Sequence, residues 1–129
     1  MTDFEQMWRD LAPIGRSAAS GGYFRQPWLG AELELRAWFR AEAERRDLDV
    51  DEDQFGNLVA WWTPRPEWSS GDRATGDRAT GDEATGHGEA SGAILTGSHL
   101  DSVLDGGAFD GPLGIVSAFV AVDLLRERG

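Results

Sequence analysis

Apolar residues recur at helical spacing in three segments of this chain. From residue 2 to 11 they lie three and four positions apart, which predicts a short helix with one face in a core. A longer amphipathic helix is predicted for 31–46 and a largely apolar helix for 111–128. We expect charged residues of the second helix to form a solvated face. The predicted core positions of the first two helices are Phe4, Met7, Trp8 and Leu11, and then Leu33, Leu35, Trp38, Phe39 and Ala43.

Shorter apolar segments predict strands. Segments 48–54 and 57–63 flank the turn dipeptide Phe55-Gly56, so we expect them to pair. The run Ala93-Ile94-Leu95 predicts a further, buried strand before the last helix. Strands interspersed with helices indicate the α/β class.

A polar repeat interrupts this pattern at 69–92. Gly71-Asp72-Arg73-Ala74-Thr75 recurs twice, once with a single change. A period of five fits neither helix nor strand, and the segment has almost no apolar residue to bury, so we predict a mobile insertion. We expect His87, which lies inside it, not to be a ligand.

Composition excludes several classes of function. The 129 residues, enough for one domain, carry a net charge of -11, which argues against nucleic-acid binding. There is no cysteine, so a disulfide frame or thiolate site is impossible. The charged first segment does not fit a signal peptide, and no apolar run reaches the roughly 18 residues of a membrane span. We therefore expect a cytoplasmic protein without a membrane partner.

His99, Asp101 and Asp110 crowd the turn before the last predicted helix. Neutral imidazole and carboxylate bind zinc, manganese and related ions. His99 and Asp101 point to the same side of an extended segment, so one can bind a metal while the other holds the ring. Purely structural roles stay open, because histidines often only hydrogen-bond at strand ends, and Asp before Gly-Pro often only caps or turns.

Glycine and proline predict how this turn is arranged. The Gly106-Gly107 pair permits unusual backbone conformations, so we expect it to fold the chain back and bring Asp110 toward His99. Gly111-Pro112 suits a helix start with Gly111 outside the α region. Asp110 then lies just outside the helix N-terminus, whose partial positive charge keeps it ionised.

Other polar and aromatic residues have simpler interpretations. Arg16 or Arg25 could contact an anionic substrate, but we expect solvated side chains. Trp61-Trp62 could stack on a ligand, but packing on the sheet is the simpler role. Asp123 and Glu127 are expected in a solvated C-terminal turn.

The residues Gly97-Ser98-His99-Leu100-Asp101-Ser102-Val103 and Gly107-Ala108-Phe109-Asp110-Gly111-Pro112-Leu113-Gly114 together resemble the metal-binding signature of the hydantoinase/carbamoylase family of amidases. Asp53-Gln54-Phe55-Gly56-Asn57 is similar to that family's Asp-x-x-Gly-Asn strand. Within the family, the Trp-rich sequence and the segment Val116-Ser117-Ala118-Phe119 most resemble the allantoate amidohydrolases. The resemblance implies an α/β fold, a three-layer αβα sandwich of the zinc-peptidase and aminoacylase type with a mixed sheet.

The resemblance also implies a two-metal site holding zinc or manganese. His99 would bind one ion, Asp110 would bridge both, and Asp101 would orient His99. The implied reaction is hydrolysis of a linear ureido C–N bond in a small molecule, with ammonia release in purine catabolism. Allantoate is the preferred substrate, and N-carbamoyl-L-amino acids or N-carbamoyl-β-alanine (the substrate of β-ureidopropionase) are alternatives.

Part of the family's machinery has no counterpart in this sequence. The family uses a downstream Glu-Glu pair and two further histidines, and it has a lid domain that dimerises. We therefore expect residues 1–129 to be the N-terminal part of the metal-binding catalytic domain of a homodimeric parent, inactive alone. An inactive truncated remnant is the alternative from another class.

Overall fold

The computed structural model describes residues 3–62 and 93–128. In chain order the elements are α1 (Asp3–Leu11), α2 (Gly30–Arg45), β1 (Asp49–Glu52), β2 (Leu58–Trp61) and α3 (Pro112–Arg128). Contacts divide the chain into residues 1–63 with 96–129, and residues 64–95. All five elements belong to the first unit and confirm the three predicted helices and the predicted strand pair. The predicted insertion at 69–92 and His87 lie outside the described residues.

The core forms where the apolar faces of the three helices meet. Phe39 of α2 contacts Phe119 of α3, with ring centroids 5.3 Å apart. Leu33 departs from the predicted core face, since it is 48% exposed. None of the helices in the described part of the chain is long and apolar enough to cross a membrane. The buried apolar cluster consists of Met7, Leu11, Ile14, Leu35, Phe39, Ala43, Leu48, Ile115, Val116 and Phe119.

The hairpin of β1 and β2 is closed by a hydrogen-bonded turn. The strands are antiparallel, with Val50 opposite Ala60. The Asp53 carboxylate accepts hydrogen bonds from the Asn57 side-chain amide at 2.7 Å and from the backbone N–H groups of Asn57 and Phe55 at 2.8 and 2.9 Å. Asp53 and Asn57, the aspartate and asparagine of the Asp-x-x-Gly-Asn match, therefore stabilise this turn.

These hydrogen bonds, foremost that from the Asn57 side chain, lower the pKa of Asp53. A lowered folded-state pKa means that the ionised carboxylate stabilises the turn fully above the unfolded pKa of about 3.9. That stabilisation is lost as the pH falls through the lowered pKa of the folded state.

The expected buried strand at Ala93-Ile94-Leu95 is wrong. These residues do not form a strand, and Ile94 and Leu95 are 94% and 75% exposed. An apolar run becomes a strand only when a neighbouring strand takes its N–H and C=O groups. The sheet of the described residues contains only β1 and β2, so no described strand pairs with this run. Helices with a small sheet are compatible with the α/β class.

Helix α2 ends in a backbone motif that brings a buried arginine to the core. Asp47 has a φ of +50°, and its N–H donates to the Glu44 carbonyl at 2.9 Å. The Leu48 N–H donates to the Ala43 carbonyl at 3.0 Å, which completes a Schellman motif. Arg46, the residue before Asp47, is only 4% exposed.

Arg46 joins all three helices. Its guanidinium donates to Asp123 of α3 at 2.8–3.1 Å, to Glu42 of α2 at 2.5 Å and to Asp3 of α1 at 3.0 Å. Burial alone lowers the pKa of Arg46, but the hydrogen bonds with Asp123 and Glu42 outweigh it, so the pKa lies above its ordinary value. The expectation that Asp123 belongs to a solvated turn is wrong, because its carboxylate is partly buried and pairs with the buried Arg46 guanidinium.

The expected solvated face of α2 is also wrong for Glu32, which is 6% exposed. Its carboxylate accepts a hydrogen bond from the Trp28 N–H at 3.0 Å, just before the helix begins. Arg36 and Arg40 of the same face pair with Glu52 of β1. The charged side chains of α2 thus attach the hairpin to the helix.

Asp123→Asn is expected to destabilise the chain by about 1–3 kcal/mol, because it removes one anion from the buried Arg46 while leaving the cation in place. Urea denaturation measures this as a lower midpoint with an unchanged slope. Glu127→Gln, on the exposed side of the same helix, is the matched control and should stay within about 0.5 kcal/mol. Equal midpoints for the two variants would mean that the Arg46–Asp123 pair contributes nothing.

Candidate metal centre

The loop that carries His99 and Asp110, here called the ligand loop (residues 97–111), is held against residues 22–25, here called the support segment. Tyr23 and Gly106 exchange two backbone hydrogen bonds, each 2.9 Å long. The Ser102 N–H donates to the Arg25 carbonyl at 3.1 Å. These bonds connect positions about eighty residues apart in sequence, so hydrogen bonds to the support segment fix the middle of the loop.

The ring of His99 is oriented by Asp101. Its Nδ1 lies 2.9 Å from the Asp101 carbonyl oxygen and 3.2 Å from the carboxylate Oδ1. A carbonyl oxygen can only accept, so Nδ1 carries the proton and donates. In the neutral ring this leaves the lone pair on Nε2. Asp101 therefore determines which nitrogen of His99 is free to bind a ligand.

Asp110 returns to the free side of that ring. Its Oδ1 lies 3.6 Å from His99 Nε2, and its Oδ2 accepts a hydrogen bond from the Val103 N–H at 3.3 Å. The backbone places His99, Asp101 and Asp110 together, as the sequence predicts. His99 is half exposed and Asp110 one-third exposed, so the pair opens to solvent.

The means by which the loop folds back differs from the expectation. The residue in the left-handed region is Asp105, with a φ of +56°, and not Gly106 or Gly107. Asp105 is held in this conformation by its side chain, which accepts a hydrogen bond from the Ser20 hydroxyl at 2.5 Å. Gly106 instead lies in a tightly packed place, since a Cβ there would lie 3.0 Å from the Val103 carbonyl oxygen.

Gly111 permits the closest approach in the loop. Its φ is +83°, as expected for a residue kept out of the α region before Pro112. A Cβ at this position would lie 2.7 Å from His99 Nδ1 and would also overlap the His99 carbonyl oxygen. The ring of His99 can therefore occupy its place only because residue 111 has no side chain.

The pair of His99 and Asp110 fits one edge of a metal site. Nε2 and the Asp110 oxygen are both acceptors, so a proton or a cation between them satisfies both. A tetrahedral ion with bonds of about 2.0–2.2 Å to nitrogen and oxygen separates two ligand atoms by about 3.4 Å. The observed separation is 3.6 Å. Within residues 3–62 and 93–128, no three His, Cys, Asp or Glu side chains gather to complete such a site.

A pocket of about 230 Å³ opens beside the His99–Asp101 side of the loop. Its wall includes Trp28, Arg36 and Asn57 together with His99 and Asp101. Trp28 is unusual, because it has a φ of +64°. The charge of Arg36 is offset by Glu32 and Glu52. The pocket wall therefore combines aromatic rings with paired charges and the Asp101 carboxylate.

Arg25 is the residue whose role the sequence least reveals. It is 1% exposed, so the expectation of a solvated side chain is wrong. Its Nε and Nη2 donate to the carbonyls of Ile14 at 3.0 Å and Leu11 at 2.9 Å, and its guanidinium lies 4.0 Å from the ring centroid of Tyr23. Burial lowers the pKa of Arg25 from its ordinary value. The flanking glycines hide this role because they suggest a loose surface segment.

The remaining candidates take ordinary positions. Arg16 is exposed, and its Nε donates to the Gly21 carbonyl at 3.4 Å. Trp61 is half buried and donates from Nε1 to Asp51 at 3.1 Å. The Trp62 ring lies 5.2 Å from the Arg126 guanidinium. Trp61 thus contacts β1, as predicted, whereas Trp62 contacts α3 and not the strand pair.

Comparison with known proteins supports the resemblance over the whole chain. The sequence is 31% identical to an N-carbamoyl-L-amino acid amidohydrolase of Geobacillus stearothermophilus, covering 100% of this chain and 27% of that protein. It is 30% identical to allantoate deiminase 1 of Glycine max, over 98% of this chain and 23% of that protein. It is 27% identical to an allantoate amidohydrolase of Bacillus subtilis, over 91% of this chain and 23% of that protein.

The chain thus spans about a quarter of the length of the curated relatives it matches. No family model matches it. Similarity over 91–100% of this chain to carbamoylases and allantoate amidohydrolases confirms the resemblance that the ligand loop suggests.

Gly111→Ala is expected to move the His99 ring and to destabilise the chain by about 1–3 kcal/mol, because a left-handed alanine is strained and its Cβ overlaps His99. Gly107→Ala is the control, since nothing lies within 4 Å of a Cβ there. Urea denaturation gives the stability, and ring-nitrogen NMR shifts report on the His99–Asp101 hydrogen bond. A Gly111→Ala spectrum identical to that of Gly107→Ala would contradict the described contact.

Proposed function

We propose, from the premise that this chain is homologous over its length to the hydantoinase/carbamoylase amidases, that it supplies the first metal ligands of an amidohydrolase acting on a linear ureido C–N bond. The observation that carries the proposal is the 3.6 Å separation of His99 Nε2 and Asp110 Oδ1, with Nδ1 already committed to Asp101. The structure has a free imidazole lone pair facing a carboxylate, which suits a divalent cation.

His99 would hold one of two zinc or manganese ions, and Asp110 would bridge both. When bound, such ions lower the pKa of a water molecule to about 7 and so supply a nucleophile at neutral pH. The task of Asp101 is to keep the proton of His99 on Nδ1. The Val103 N–H holds Asp110 Oδ2, which fixes the tilt of the carboxylate. The pocket beside His99 offers space for a small, planar substrate group.

Because the relatives are about four times as long as this chain, we propose that a general base and further ligands come from outside these 129 residues. The complete catalytic domain would be a three-layer αβα sandwich with a mixed sheet. We further propose a cytoplasmic homodimer acting in purine catabolism. We also propose that the chain alone is inactive, whether as a part of this enzyme or as a remnant, because residues 3–62 and 93–128 offer only two candidate ligands.

Allantoate is our preferred substrate, because two of the relatives compared above are named for allantoate. An N-carbamoyl-L-amino acid is the second candidate, favoured by the relative from Geobacillus stearothermophilus with 31% identity. Both substrates present a ureido carbonyl to the same site. Ammonia release from allantoate and decarbamoylation of an N-carbamoyl-L-amino acid, assayed side by side, discriminate between them.

Asp110→Asn in the complete protein is expected to lose one metal ion and nearly all turnover, because a neutral amide bridges two cations poorly. Asp101→Asn should be milder, lowering metal affinity or activity by about 10–100-fold, since it acts through the His99 ring. Metal content and turnover are measured for both variants together. Two ions per chain and near-normal turnover in Asp110→Asn would show that the site is built around other residues.

A further inference from the structure

We propose that Ser102 is a positioning residue whose buried hydroxyl sets the separation of His99 and Asp110. This inference rests on the proposed function, since it takes these two side chains as metal ligands. Ser102 itself touches neither of the proposed metals. It acts through the backbone of the ligand loop.

The Ser102 hydroxyl makes two hydrogen bonds to the support segment. The side chain is nearly buried, with the residue 6% exposed. Its Oγ accepts from the Arg25 N–H at 3.2 Å and donates to the Tyr23 carbonyl at 3.2 Å. The backbone N–H of Ser102 adds a third bond, to the Arg25 carbonyl. Ser102 is therefore attached to the support segment through both its side chain and its backbone.

Ser102 lies between the two residues that contact the proposed metal ligands. The preceding residue, Asp101, holds the His99 ring, and the following residue, Val103, holds the Asp110 carboxylate. A shift of Ser102 toward or away from the support segment would displace both Asp101 and Val103. Ser102, anchored between these two residues, thus determines the distance between His99 Nε2 and Asp110 Oδ1.

The support segment is itself fixed at its other side. The side chain of Arg25 is bound to the Leu11 and Ile14 carbonyls at the end of α1. The Tyr23 hydroxyl donates to the Ala12 carbonyl at 2.9 Å. Ser102 therefore connects the ligand loop to a part of the molecule that is tied to the helical core. A mobile partner could not define the separation of the ligand atoms in this way.

Ser102→Ala removes the hydroxyl and leaves the buried Arg25 N–H without this acceptor. Both a merely structural role and a positioning role predict a lower melting temperature. Only the positioning role predicts weaker metal binding by protein that remains folded. The decisive readout is therefore the affinity for Mn²⁺, measured well below the melting temperature by competition with a chelating dye.

In the complete protein, Ser102→Ala should weaken Mn²⁺ binding by about 10–100-fold, as other residues that act behind a ligand do. Ser102→Thr, which keeps the hydroxyl, should bind Mn²⁺ about as tightly as the unchanged protein, because both hydroxyl bonds to the support segment can remain. Ser117→Ala, at an exposed position of α3, is the matched control and should do the same. If Ser102→Ala does not fold, Ser102→Cys, with its weaker hydrogen-bonding group, takes its place.

Unchanged Mn²⁺ affinity in Ser102→Ala, or in Ser102→Cys where that variant replaces it, would overturn the inference. This holds even if the variant has a lower melting temperature, and the proposed function would be left intact. Weakening by Ser102→Thr equal to that by Ser102→Ala would also overturn it, because the hydroxyl would then not be the cause. An unchanged protein that binds no Mn²⁺ or Zn²⁺ would overturn the proposed function, and this inference with it.

Discussion

The backbone pairing between Tyr23 and Gly106 is the constraint on which the candidate site depends. Two hydrogen bonds of 2.9 Å join a segment that follows α1 to one that precedes α3. Neither segment is a regular strand, so their N–H and C=O groups would otherwise need other partners. With this pairing in place, Ser102 and Arg25 bind each other, and the ligand loop has a defined position against the core.

Close contacts then determine what the loop can present. Gly111 is packed so tightly against His99 that only a residue without a side chain fits there. Asp105 takes the left-handed conformation that reverses the chain, supported by Ser20. The outcome is that His99 presents Nε2, and not Nδ1, toward Asp110. The proposed metal chemistry needs this choice of nitrogen, and it follows from backbone geometry as much as from the acidic side chains.

The sequence predicts local features well where one periodic pattern dominates. The helices α1, α2 and α3 and the strand pair follow from apolar spacing and from the turn at Phe55-Gly56. The grouping of His99, Asp101 and Asp110 could also be predicted, because all three lie within one short loop.

The contacts between polar residues that are far apart in sequence could not be predicted. The sequence pattern predicts solvated side chains for Arg25 and Asp123, because their partners are remote in sequence. Arg25 binds the carbonyls of Leu11 and Ile14, and Asp123 binds Arg46. The apolar run Ala93-Ile94-Leu95 fails as a buried strand for a related reason, since its pattern contains no information about whether a pairing strand is present.

The central claim is that His99 Nε2 and Asp110 together bind a divalent cation. The most direct measurement is a Zn²⁺ titration of the 129-residue chain, followed by the ¹⁵N shifts of the ring nitrogens of its two histidines. The account predicts that Nε2 of His99 shifts on Zn²⁺ addition, that Nδ1 keeps the signature of a protonated nitrogen, and that Asp110→Asn abolishes the shift. A response at Nδ1 of His99, a response confined to His87, or an unchanged Nε2 would contradict it.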